Sequence, residues 1–284
     1  MKLSVFTVAT PDLTPEELAT AARDAGLHGI EWRFKETPEE ARDEAPSFWR
    51  NNLCSMSPLD GEQNWSRFKQ AAEAAGLTSV SVTPYLAPGD LEATENALRA
   101  ARYMGASMIR LGVPFYDRSV HFEQLFAQER AYLKEAESLC RQYGVQGVIE
   151  THHVTIAPSA SAARRLVEGL DPQHIGVLYD PGNMVYEGFE NYRMGLELLG
   201  SYLAHVHIKN ARWVRQEQTS SAAYSWSCQW AGMREGIVPI HQVIEDLRAV
   251  GYDGYLGLED FSGQLASVPM LKDYADYMRE LLRG

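Results

Sequence analysis

The sequence predicts a single-domain (β/α)8 barrel, the TIM-barrel architecture, over residues 1–284. Short β-rich apolar runs alternate strictly with longer amphipathic ones, and there are eight of each. The apolar runs carry near-continuous hydrophobic character, as strands buried on both faces of a parallel sheet do. No Gly-rich phosphate turn follows the first run, where Thr7-Val8-Ala9-Thr10-Pro11 stands, and an open doubly wound sheet would usually announce one there.

The predicted strands are Leu3–Thr10, Gly29–Phe34, Ser79–Tyr85, Met108–Pro114, Gly147–His152, Ile175–Asp180, Leu203–Lys209 and Tyr255–Phe261. The first helix starts at Thr14-Pro15-Glu16-Glu17, with a Thr cap, Pro at the first position and Glu at the third, and it ends near Gly26. Further helical patterns run approximately over 63–76, 90–104, 121–143, 159–169, 191–199, 239–250 and 270–282. Ala25-Gly26-Leu27, Ala75-Gly76-Leu77 and Val250-Gly251-Tyr252 each close a helix on Gly before a strand. Two connections are long, about 35–62 and 211–236. Both fall at the C-terminal face of the strands and both are rich in aromatic residues, so they are expected to form pocket walls or a lid.

Bulk properties narrow the function. The net charge of -12 argues against nucleic acid and anionic membranes as partners. Three cysteines without a C-x-x-C fit a reducing cytoplasm, and no apolar stretch is long enough to span a membrane. The apolar N-terminal run is too short for a signal peptide and reads as the first strand. Monomer and homo-oligomer are both compatible with the sequence.

The chemistry lies at the strand ends. Strands five to eight end in Glu150, Asp180, the pair His205 and His207, and Glu259. Four ionisable groups closing four apolar strands need a common compensating charge, because an unpaired buried carboxylate costs several kcal/mol. A divalent cation supplies it, and oxygen and imidazole donors without thiolate suit Mn²⁺, Mg²⁺, Co²⁺ or Zn²⁺. His205 and His207 lie two apart and share a strand face; His207 is the preferred ligand because it is nearer the C-terminal end. His152 and Asn183 adjoin the proposed ligands and are expected to support them or bind substrate. Glu31, Arg110 and Lys209 are further candidates for substrate binding, with an internal ion pair such as Glu31 with Arg110 as the alternative. Trp213 and Trp226, like Trp230, are candidates to stack on the C–H faces of a sugar.

The motifs Glu150-Thr151-His152, Asp180-Pro181-Gly182-Asn183, His205-Val206-His207-Ile208-Lys209 and Gly257-Leu258-Glu259 resemble the sugar phosphate isomerase/epimerase superfamily. This is the xylose isomerase-like barrel group that also contains endonuclease IV. The stretches Arg234–Ile240 and Gly251–Glu259 resemble its last βαβ unit. The resemblance implies Glu150, Asp180, His207 and Glu259 as metal ligands, with Glu150 and Glu259 also moving protons on a small carbohydrate. Ketose 3-epimerases of the group carry an acid six residues beyond the strand-five Glu and an arginine six beyond the strand-seven His. Here those positions are Ile156 and Trp213. The extra histidines of the endonucleases are absent from strands three and four, which end in Thr83-Pro84-Tyr85 and carry Arg110.

The function expected is a metal-dependent isomerase or epimerase acting on a sugar, keto-sugar or polyol, with proton transfer through an enediolate. A lyase or dehydratase acting on a keto-sugar or keto-inositol passes through the same enolate and is the first alternative. A non-catalytic sugar-binding barrel is the second.

Overall fold

The computed structural model describes residues 1–216 and 224–283. Eight parallel strands form its centre: β1 (Lys2–Phe6), β2 (Gly29–Phe34), β3 (Thr78–Pro84), β4 (Met108–Arg110), β5 (Gln146–Glu150), β6 (Ile175–Tyr179), β7 (Leu203–Ile208) and β8 (Tyr255–Leu258). Each pairs with its sequence neighbours, and β1 pairs with both β2 and β8, which closes the ring. Helices α1 (Pro15–Ala25), α2 (Glu62–Ala75), α3 (Leu91–Met104), α4 (Phe122–Tyr143), α5 (Ala160–Val167), α6 (Tyr192–Leu199), α7 (Ile240–Ala249) and α8 (Ser267–Arg283) follow the strands in turn. The predicted (β/α)8 barrel is the fold observed.

Local chemistry explains the helix ends. Thr14 and Glu17 form a reciprocal capping box around Pro15, and α1 stops at Gly26, whose φ of 83° lies in the left-handed region. Most of the hydrophobic core lies between the strands' outer faces and the apolar stripes of the helices.

Three strands, β1, β4 and β8, are shorter than predicted by three residues or more. After Phe6 the chain turns through a 3-10 segment, Thr7–Ala9, and Ser55–Met56 takes over the pairing with the end of β2. Past Arg110 the backbone presses on the loop after β3: a Cβ at Gly112 would lie 2.3 Å from the Leu86 carbonyl oxygen. Past Leu258 the ladder continues only through the Glu259 amide, which donates to Ile208. The loop predicted over 211–236 contains an antiparallel hairpin, Asn210–Arg215 with Trp226–Ala231. The part of that loop at 217–223 lies outside the described residues.

One core position carries an unpaired carboxyl. Glu129 on α4 is 1 % exposed, and neither carboxylate oxygen has a hydrogen-bond partner among the described residues. Burial alone pushes its carboxyl up from 4.5 to about 8. A raised acid favours the folded state below its unfolded value, and that advantage is lost as pH rises through the folded value. Over this window the wild type should therefore lose stability relative to Glu129→Gln by about 1.4 kcal/mol per pH unit. Urea unfolding of both proteins across the window checks this; parallel pH profiles would refute it.

Candidate metal centre and pocket

Side chains alternate across a strand, so every second residue of a barrel strand enters the interior. At the lower end of the barrel, Val80, Met108, Val148 and Leu178 form an apolar plug. Two residues further along their strands, Arg110, Glu150 and Asp180 enter the same interior, joined by His205, His207 and Lys209 from β7 and its end and by Glu259 beyond β8. The period of two thus carries the strands from apolar to ionisable as they approach the C-terminal face.

Glu150, Asp180, His207 and Glu259 are all buried and each offers a donor atom to one small space, the atoms lying within 4.8 Å of one another. His207 Nδ1 stands 3.7 Å from Glu150 Oε1, 3.9 Å from Asp180 Oδ2 and 3.7 Å from Glu259 Oε2. It has no hydrogen-bond partner among the described residues. Asn183 spaces two of the carboxylates, donating to Glu150 Oε1 at 3.1 Å and to Asp180 Oδ2 at 2.9 Å. It sits behind the four groups, outside the pocket lining.

Two cations border the cluster. Arg110 Nη1 pairs with Glu150 Oε2 at 2.7 Å. Lys209 Nζ pairs with Asp180 Oδ2 at 2.8 Å, touches Glu259 Oε2 and donates to Asn183 Oδ1 at 3.0 Å. Burial opposes ionisation of Glu150, yet Arg110, helped by His207, His152 and Lys209, outweighs it and the carboxyl is held well below its usual range. At Glu259 burial prevails over Lys209 and His207, and the carboxyl is raised. The two glutamates thus differ in environment despite their symmetrical placement.

Glu31 corrects an expectation. As a candidate for substrate binding or for an ion pair with Arg110, it lies outside the cavity lining, and Arg110 pairs with Glu150 instead. It lies beneath His207 at 1 % exposure, with Oε2 2.9 Å from His207 Nε2 and Oε1 3.0 Å from His205 Nε2. Burial resists its ionisation, but the two imidazoles hold its carboxyl far below the usual range. His207 is raised well above an ordinary histidine; burial works against that, and Glu31 together with Glu150 and Glu259 overcomes it. Of the two histidines, the structure brings His207 to the three carboxylates and leaves His205 below.

A cavity of about 430 Å³ opens above the cluster, with Arg110, Glu150, Lys209 and Glu259 on its floor. Trp49, Tyr85, Phe115, Trp230 and Phe261 form its aromatic walls, and His152 and His153 its flank. Each long loop therefore supplies a wall, through Trp49 and Trp230. Trp213 and Trp226 do not line this cavity. Trp230 pairs with Ala211 at the hairpin's base, whereas Trp213 and Trp226 pair further out, opposite Cys228 and Arg215. Trp213 donates to the Val185 carbonyl at 2.9 Å and Trp226 is exposed. His153 stacks between His152 and Tyr186, and burial lowers it to about 4. The next residue, Val154, has φ 59°, a strained setting for a β-branched side chain beside a pocket.

The xylose isomerase-like TIM barrel family model matches residues 19–282. The chain belongs to this family. Among curated relatives, the inosose dehydratase of Geobacillus thermodenitrificans (strain NG80-2) is 26% identical over 238 residues, covering 76% of this chain and 79% of the relative. The inosose dehydratase of Geobacillus kaustophilus (strain HTA426) is 26% identical over 157 residues, 51% of this chain and 50% of the relative. Among solved structures, the 3-keto-D-glucoside 4-epimerase of E. coli superposes with a TM-score of 0.71 at 18% identity, covering 100% of both chains. The D-psicose 3-epimerase of Clostridium cellulolyticum H10 gives 0.69 at 15% identity, covering 99% of both. At these identities the structural likeness establishes the fold. No helix among the described residues is long and apolar enough to cross a membrane.

Proposed function

We propose that this protein is a metal-dependent enzyme that moves the proton α to the carbonyl of a keto-sugar or cyclic keto-polyol. One observation carries the reading: a fully buried imidazole nitrogen, unpartnered among the described residues, faces one oxygen from each of three carboxylates at 3.7–3.9 Å. Donors bound at about 2.0–2.2 Å around one ion stand roughly 3–4 Å apart, so the spacing fits a shared cation. Glu150, Asp180, His207 and Glu259 would hold it, and the nitrogen and oxygen donor set suits Mn²⁺, Mg²⁺, Co²⁺ or Zn²⁺. When bound, such an ion binds a carbonyl and a neighbouring hydroxyl of the substrate and acts as a Lewis acid.

The protein's own groups supply the rest. Glu259 reaches the pocket floor as a proton acceptor for the carbon beside the carbonyl. Glu150, three strands away around the ring, is the second carboxylate that an isomerase or epimerase would use to return the proton. The aromatic walls favour a ligand with an apolar ring face, and the floor cations Arg110 and Lys209 are already paired with carboxylates. A neutral ring suits these surroundings better than a phosphate.

A second reading, loss of water from a keto-polyol, is favoured by the Arg110–Glu150 pair. With Oε2 held at 2.7 Å by Arg110 and Oε1 facing the cation space, Glu150 has no free oxygen for a proton. That leaves Glu259 as the single proton carrier, which suffices for elimination: it takes the α proton and delivers it to the departing hydroxyl, which leaves as water. The similarity to inosose dehydratases points the same way.

Metal-loaded protein incubated with keto-sugars and keto-inositols in D₂O should incorporate deuterium at the α carbon by NMR. A product lighter by one water selects elimination, and an unchanged mass selects isomerisation or epimerisation. Sugar binding without exchange would leave the non-catalytic barrel as the correct reading.

A further inference from the structure

We propose that Glu31 is a positioning residue that makes His207 a cation ligand through Nδ1, and that Gly257 is glycine to leave Glu31 room. The inference rests on the reading that the four-residue cage holds a divalent cation.

A neutral imidazole carries one proton, and only the nitrogen without it has a lone pair to give a metal. Glu31 Oε2, 2.9 Å from His207 Nε2, belongs to an ionised carboxylate and can only accept. When a cation displaces the Nδ1 proton, the remaining proton is therefore held on Nε2 and the lone pair of Nδ1 is directed at the cage. Two further contacts and one glycine fix this arrangement. Ser4 Oγ donates to Glu31 Oε1 at 2.8 Å. The Phe6 ring stacks on the His207 ring at 5.9 Å and 22°. On the neighbouring strand β8, Gly257 is in register with His207. A Cβ there would lie 2.2 Å from Glu31 Oε1 and 3.0 Å from His207 Cδ2. The register thus places a residue without a side chain where the carboxylate must stand.

The test titrates metal-free protein with Co²⁺, followed by calorimetry and by the visible absorption of the bound ion, which reports its ligands. In Glu31→Gln the amide can donate to Nε2 as well as accept from it, so the proton is no longer confined to Nε2. Affinity should fall about 10–100-fold, the range for losing such a supporting partner, and the Co²⁺ spectrum should change in protein that circular dichroism shows folded. Gly257→Ala keeps every polar group and presses chiefly on Glu31, with a lesser contact on the His207 ring; it should weaken Co²⁺ binding by about tenfold. A purely structural role for Glu31 would lower the unfolding midpoint and leave affinity and spectrum alone. Binding within about twofold of wild type, with an unchanged spectrum, in whichever of the two variants fold would overturn the proposal. Failure of the wild type itself to bind Co²⁺ would instead remove the cage reading, and this inference with it.

Discussion

Glu259→Gln should lower α-deuterium exchange by about 10²–10⁴-fold at saturating cation, the usual range for losing a positioned proton carrier. Gln keeps the shape and a coordinating oxygen, so cation binding should suffer far less than exchange. The comparison with Glu150→Gln gives the experiment its force. Glu259 lies on the pocket floor with its carboxyl raised by burial, while Glu150 is held as a carboxylate by Arg110. If the reaction needs two proton carriers, both variants lose exchange alike. If Glu259 is the single base, Glu150→Gln loses mainly cation affinity and retains exchange once the ion is saturating. Full exchange in Glu259→Gln at saturating cation would remove it from the chemistry altogether.

The sequence shows the barrel and the four strand-end groups for the same reason: both follow from local periodicity. Apolar runs mark the strands, and the ionisable residues that end them stand out because burial would otherwise penalise them. The position of Glu31 is not legible locally because it depends on register. β1 pairs Phe6 with Glu31, and β8 pairs Gly257 with His207, which sets Glu31 under a histidine 176 residues away. No local pattern in Gly29–Phe34 contains that contact. The tryptophans show a similar limit. Trp226 and Trp230 share one face of their strand, so parity cannot separate them; only the hairpin's register puts Trp230 beside the barrel. The alternation of Trp226, Cys228 and Trp230 with Ser227 and Gln229 is a usable sign of a strand within the long connection. The clamp of Arg110 on Glu150 follows from β4 and β5 being neighbours with Arg110 opposite Val148, and strand order alone could have suggested it.

Arg110→Met should lower the stability of the metal-free protein by about 3 kcal/mol, at the lower end of the cost of breaking a buried ion pair. The Arg110 and Glu150 side chains are 15% and 5% exposed, so water replaces little of the lost interaction. Asn183 would still donate to Glu150 Oε1, which argues against a larger figure. Methionine fills much of the volume over the Tyr85 ring, where the guanidinium now lies 4.9 Å from the centroid, so the loss is chiefly of charge. A divalent cation in the cage would then be the main charge opposing Glu150. Its addition should therefore stabilise the variant more than the wild type, narrowing the gap in urea unfolding measured with and without Mn²⁺. An equal gain in both proteins would mean that Lys209 and His207 already neutralise Glu150. In that case Arg110 does not set its charge, and the argument for a single base loses its support.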